Sequence, residues 1–162
     1  MKFLSKIILI FALTVSCGTE DLLYPAPSNA SPELYPYYLK FIQELASRKL
    51  VPKRNVRQIV WTDKDLGQDV IGTCETWEST MPRLYTYRIV RIKREGTGEV
   101  LDRLVFHELG HCMLDLSHSC DGDDIMYPHV VSPLTKESVD AMFDDYARGE
   151  TYEECDENTV GD

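Results

Sequence analysis

Four histidines fall between positions 107 and 129, and residues 1–106 hold none. Their centre is His107-Glu108-Leu109-Gly110-His111. On a helix, positions four apart lie one turn above each other, so both imidazoles reach one metal ion at ~2.0–2.1 Å. Glu108 projects near the same edge but is set back by one residue, too far to be a ligand and well placed to handle a proton. Zinc lowers the pKa of a bound water toward ~7, and a carboxylate beside it takes the proton as the water attacks a peptide carbonyl. The bland alternative is a solvated helix with two surface histidines. It is weakened because the pattern lies on the best-defined helix of the chain, off its apolar stripe, and is followed by further histidines.

Two imidazoles leave one protein ligand to find. His118 comes seven residues after His111. In a continued helix it would sit about 10 Å further along the axis, out of reach of the same ion. The chain must therefore leave the helix near Leu114–Ser117 and fold back.

The elements that position these groups follow from periodicity. Tyr37, Tyr38, Phe41, Ile42 and Leu45 predict a first helix over 33–48, with Pro32 or Pro36 in its first turn. Val56–Trp61, Asp69–Trp77 and Leu84–Lys93 are rich in β-formers and read as strands. After the Gly96-Thr97-Gly98 turn, Leu101, Val105, Leu109, Cys112 and Leu116 form the apolar stripe of a helix over 99–115. Residues 117–132 read as a loop. A last helix is expected over 136–148, capped by Thr135, stopped by Gly149 and buried through Val139, Met142, Phe143 and Tyr146.

His107-Glu108-Leu109-Gly110-His111 with His118, followed by Asp124-Ile125-Met126-Tyr127-Pro128, resembles the metzincin metallopeptidases, matrixins especially. The resemblance implies an α/β (α+β) fold, a twisted mixed sheet packed on an active-site helix and a C-terminal helix. It implies Zn2+ held by His107, His111 and His118, with Glu108 as the catalytic base. The alternatives for the third ligand are Asp115 and, on the last helix, Glu137; His129 reads as a loop residue near the cleft. By the same carry-over Met126 forms a hydrophobic base under the metal, while Tyr127 and Pro128 shape the substrate pocket beyond the scissile bond. Val70–Cys74 becomes the edge strand along which an extended peptide pairs. Two departures stand out: Leu114 occupies the position of the family's turn glycine, and His118 is one residue late. A leucine forced into the left-handed turn would cost about 1–2 kcal/mol, a strain that the one added residue before His118 would avoid by allowing a wider turn. Asp121-Gly122-Asp123-Asp124 lacks the spacing of a calcium loop and reads as a turn.

The ends describe an exported protein. Lys2 and Lys6 precede the apolar run Ile7–Val15, and Leu13-Thr14-Val15-Ser16-Cys17 is similar to a bacterial lipobox. On that reading residues 1–16 are a lipoprotein signal peptide, Cys17 is lipidated, 17–31 is a tether, 32–149 is the metallopeptidase domain and 150–162 an acidic tail. The alternative is a plain secreted protein. Loss of Lys2 and Lys6 moves the net charge from −10 to −12, which disfavours nucleic acid and anionic lipid surfaces. The expected partners are a peptide or protein substrate and a membrane reached only through the lipid; the 162 residues make one domain, expected to be a monomer. The four remaining cysteines suggest disulfides, Cys74–Cys112 and Cys120–Cys155 being the expected pairs. The expected function is zinc-dependent endopeptidase. A non-catalytic zinc- or peptide-binding surface lipoprotein is the first alternative, and an interaction module with incidental histidines the second.

Overall fold

The computed structural model describes residues 24–67, 70–79, 85–95, 98–129 and 132–150. Cys17 and the signal, the tail from 151 and Cys155 lie outside the described residues. The elements run β1 (Asn29–Ala30), α1 (Tyr35–Ser47), β2 (Val56–Thr62), β3 (Gly72–Ser79), β4 (Tyr85–Lys93), a 3-10 turn (Gly98–Val100), α2 (Leu101–Leu114) and α3 (Lys136–Arg148). The fold is α+β, a four-stranded mixed sheet packed with three helices.

The strand order is β1-β2-β4-β3. β1 pairs with β2 and β2 with β4 in parallel, while β3 runs antiparallel to β4 with Cys74 opposite Val90. β3 is therefore an edge strand, as Val70–Cys74 was expected to be. The short β1 falls in a stretch whose composition reads as tether. It joins the sheet because Ser31 N–H donates to Ile59 O at 2.8 Å, and Tyr38 Oη donates to Pro25 O at 2.9 Å. Two residues are too few to show alternation, so periodicity could not find it.

α1 presents Tyr38, Phe41 and Leu45 to the core, three of the five residues of its predicted stripe. Phe41 meets Phe106 of α2 edge-on at 5.2 Å and Phe143 of α3 at 5.1 Å, so one ring joins all three helices. α3 starts where Thr135 accepts from Ser138 N–H in a capping box, and stops at Gly149 in the left-handed region, φ 71°.

α2 departs from the simple amphipathic picture. Its stripe is buried from Val105 onward, with Leu101 half-buried, and Arg103, His107 and Glu108 on other sides are buried too. The helix lies between the sheet and α1 on one flank and the 117–129 loop on the other, so nearly its whole circumference is covered. Its interior glycine, Gly110, would cost about 1 kcal/mol against alanine without a packing reason. That reason is Met126, whose Sδ lies 2.5 Å from where a Cβ on Gly110 would stand.

Cys74 and Cys112 form a disulfide, as expected, tying the edge strand to α2 one residue beyond His111, with a Cα–Cα distance of 5.4 Å. Cys120 is also disulfide-bonded; its expected partner, Cys155, lies outside the described residues.

Candidate metal centre

α2 delivers His107 and His111 one turn apart, and the chain beyond it brings His118 to them. The helix ends at Leu114, and Asp115 takes the left-handed conformation, φ 54° and ψ 39°, with its N–H returning to Gly110 O. The conflict expected at Leu114 does not arise, because the turn has moved one residue along. Aspartate tolerates this conformation better than a leucine does. The extra residue before His118 is absorbed by one more helical position. Asp115 is not a ligand: its carboxylate accepts from Arg88 at 3.0 Å and pairs with Arg54 at 3.4 Å.

The rings of His107, His111 and His118 gather with centroids 4.6, 5.2 and 4.7 Å apart. One ligand atom from each lies within 4.8 Å of the others, so the three could hold a metal ion. Among the described residues no other group of His, Cys, Asp and Glu does so. Glu137 is exposed on the first turn of α3, and His129 is exposed beside Tyr127 at 5.7 Å; neither joins the cluster.

Backbone carbonyls fix two of the rings. His107 Nδ1 lies 2.7 Å from Ile125 O, and His111 Nδ1 lies 2.6 Å from Leu116 O. A carbonyl only accepts, so each Nδ1 carries the proton and donates. Both Nε2 atoms are then bare lone pairs in the neutral rings. They face each other at 3.1 Å, where neither has a proton to offer. Protonating a ring would relieve the clash, but the site resists it. Burial, then the neighbouring His111, brings His107 down to about 3, and burial brings His111 down to about 4. Two converging lone pairs on a buried and a half-buried ring are an electrostatic arrangement that a cation could complete.

Glu108 is 4% exposed, and burial pushes its carboxyl up to about 8. It lies against β3: a Cβ on Gly72 would stand 2.6 Å from Glu108 Oε1 and 2.9 Å from Leu104 Cδ1. Gly72 thus lets the edge strand approach the carboxylate. A cation close by would favour the ionised form.

The loop after the helix is a built support. Met126 is fully buried under Gly110, and its carbonyl accepts from Ser119 N–H at 2.9 Å, which closes the segment between His118 and Tyr127. Asp124 Oδ1 accepts from Met126 N–H at 2.9 Å, and Asp121 Oδ1 from Asp123 N–H at 3.0 Å, so the acidic run is a turn. Arg103, 2% exposed and one turn before His107, donates to Asp123 O at 3.0 Å, to Asp124 O and to Ser132 Oγ at 2.6 Å. That pins the chain just before Ile125, whose carbonyl holds His107. Tyr127 and Pro128 are half-buried at the end of this support.

Sequence reasoning missed Arg103, Gly72 and the two carbonyls. An arginine one turn ahead of a metal-binding pattern was a visible signal for the first; backbone acceptors leave no trace in composition. Comparison of the chain with family models, with curated proteins and with solved structures returns no match.

Proposed function

We propose that this chain is a zinc-dependent endopeptidase in which His107, His111 and His118 hold the metal and Glu108 is the catalytic base. The observation that supports it most is the pair of carbonyl-anchored imidazoles whose Nε2 lone pairs converge at 3.1 Å. Nitrogens on a tetrahedral zinc at ~2.0–2.1 Å stand about 3.3 Å apart, so the His107–His111 pair at 3.1 Å fits that ion with little movement, and His118, within 4.8 Å of both, would close in on it. Three imidazoles leave the fourth position open, as hydrolytic zinc sites require, whereas closed structural sites fill all four. When bound, zinc would supply a Lewis acid that acidifies water and polarises the substrate carbonyl.

The chain's own residues do the rest. Ile125 O and Leu116 O hold the tautomers that present Nε2. Glu108 takes the proton of the attacking water and returns it to the leaving amine. Its burial excludes bulk water and strengthens its electrostatic contact with the reacting groups. The free edge of β3, held to α2 by Cys74–Cys112, offers backbone hydrogen bonds that align an extended peptide beside Glu108. Tyr127 and Pro128 then border the side chain that follows the scissile bond. The likeness to metzincins carried by the sequence pattern is consistent with this arrangement, with the turn displaced from Leu114 to Asp115.

The test is cleavage of an unfolded protein by the soluble chain, residues 18–162, before chelation, after chelation and after zinc is restored. Loss and recovery of cleavage support the proposal; cleavage indifferent to chelator refutes it. One observation favours a second reading, a lipoprotein that binds zinc without turnover: Glu108 is packed beneath β3 at 4% exposure. Stoichiometric zinc with no cleavage of any unfolded protein would select that reading.

A further inference from the structure

Arg103 lies in the first turn of α2 at 2% exposure, although a guanidinium is costly to bury. Its side-chain donors go to carbonyls and a hydroxyl rather than to a carboxylate. Nη2 donates to Asp123 O at 3.0 Å and to Asp124 O, with Gly122 O at 3.5 Å, and Nη1 donates to Ser132 Oγ at 2.6 Å. Hydrogen bonds from a charged donor are stronger than neutral ones, and the planar fork fixes its partners in direction as well as distance. Asp124 O also accepts from Tyr127 N–H at 3.2 Å, and Asp124 Oδ1 from Met126 N–H at 2.9 Å, so residues 124–127 form a closed turn. Inside that turn Ile125 O accepts from His107 Nδ1 at 2.7 Å. Arg103 and His107 are four residues apart on one helix and share a face, which is why both reach the same stretch of chain. His111 is anchored elsewhere. Its Nδ1 donates to Leu116 O at 2.6 Å, beside the turn that Asp115 holds through Arg88 and Arg54.

We infer that Arg103 is a positioning residue of the metal centre. Its guanidinium sets the backbone at 123–124, and through it the Ile125 carbonyl that keeps the proton on Nδ1 of His107 and leaves Nε2 bare for the ion. Which nitrogen of a neutral imidazole carries the proton is decided by the hydrogen bond that the ring makes. Without the guanidinium the turn loses its hold on α2 and Ile125 O is no longer fixed against Nδ1. The ring is then released to the Nε2–H tautomer, which has no lone pair where the ion would sit. An arginine with only a packing role would act on His107 and His111 alike, or on neither. The inference rests on the proposed metal site and not on peptide cleavage.

The experiment is nitrogen-15 spectroscopy of the histidine rings in the metal-free chain at neutral pH, with zinc affinity measured by chelator competition on the same variants. In the parent, His107 and His111 should both be Nδ1–H. Arg103→Met should give His107 a population of Nε2–H, leave His111 as Nδ1–H, and weaken zinc by about ten- to a hundredfold, the usual loss for a group that orients a ligand. Arg103→Lys keeps the charge without the fork and should fall between the two; it decides the matter if Arg103→Met does not fold. Arg48→Met removes an arginine that pairs with Asp140 between α1 and α3, so it controls for lost stability and should leave both rings as in the parent. A parent whose His107 is not Nδ1–H overturns the inference. So does a folded Arg103 variant with the parent's His107 and zinc affinity, or a change shared equally by His107 and His111. Because the rings are read without metal, a parent that binds no zinc or cleaves nothing contradicts the proposed function, while the tautomer of His107 still decides the role of Arg103.

Discussion

Replacing Gly72 by alanine separates the placement of Glu108 from the holding of the metal. The added methyl would stand 2.6 Å from Glu108 Oε1, 2.9 Å from Leu104 Cδ1 and 3.0 Å from Glu108 Cγ, where ordinary contact begins at 3.4 Å. The carboxylate must therefore retreat by about 0.8 Å, or the edge strand must lift by a similar amount. Overpacking of this size costs about 1–3 kcal/mol of stability, toward the low end here because Oε1 is the tip of a flexible chain. The effect on chemistry is larger: misplacing a catalytic group by about 1 Å can cost of order 10²-fold in rate. None of the three histidines contacts the new methyl among its three nearest atoms. Gly72→Ala should thus lower kcat about a hundredfold on an unfolded-protein or quenched-peptide substrate while zinc affinity stays within about twofold of the parent. Competition with a chromophoric chelator measures the second quantity on the same samples. A folded Gly72→Ala that cleaves like the parent would refute the placement of Glu108 against the edge strand as a catalytic constraint.

Other perturbations probe separate parts of the account. Gly110→Ala drives a methyl to 2.5 Å from Met126 Sδ, so it should cost about 1–3 kcal/mol and weaken zinc binding, read by denaturation and chelator competition. His118→Ala should reduce zinc affinity by orders of magnitude, whereas His129→Ala, exposed and outside the cluster, should leave it unchanged by the same competition. Reducing Cys74–Cys112 should cost about 2–4 kcal/mol and loosen β3 from α2, visible as faster hydrogen exchange in β3. In the chelated protein the unfolded chain takes up protons on His107 and His111 first, because their folded values are about 3 and 4. Stability should therefore rise with pH up to about 6.5, the ordinary histidine value. Glu108, raised to about 8, acts in the opposite sense: its contribution is lost as pH rises through 8, and Glu108→Gln should flatten that limb of the denaturation profile.

The parts of the fold legible in the sequence were those whose signals are local. α3 was bounded closely because Thr135 and Gly149 supply an N-cap and a left-handed stop. The strands appear where β-formers cluster, and the even cysteine count points to disulfides without choosing among the three pairings it allows, of which Cys74–Cys112 is formed. What escaped depends on tertiary contact. β1 is two residues long and exists because β2 offers it an edge. The second buried side of α2 arises from the loop that folds over it, so His107 and Glu108 read as surface residues on periodicity alone. The resemblance alone puts the left-handed turn at Leu114, with a wider turn as the way around the strain; the residue that bears it is Asp115. An aspartate there has both the tolerance for that backbone and Arg88 to hold its carboxylate, a pairing across 27 positions that sequence spacing does not announce.

The most direct test of the central claim is a side-by-side comparison of the parent and Glu108→Gln, with zinc content and cleavage of an unfolded protein measured on the same preparations. The account predicts about one zinc per chain in both and cleavage in the parent alone. Equal cleavage by the two, or a parent that folds and binds no zinc, would contradict it.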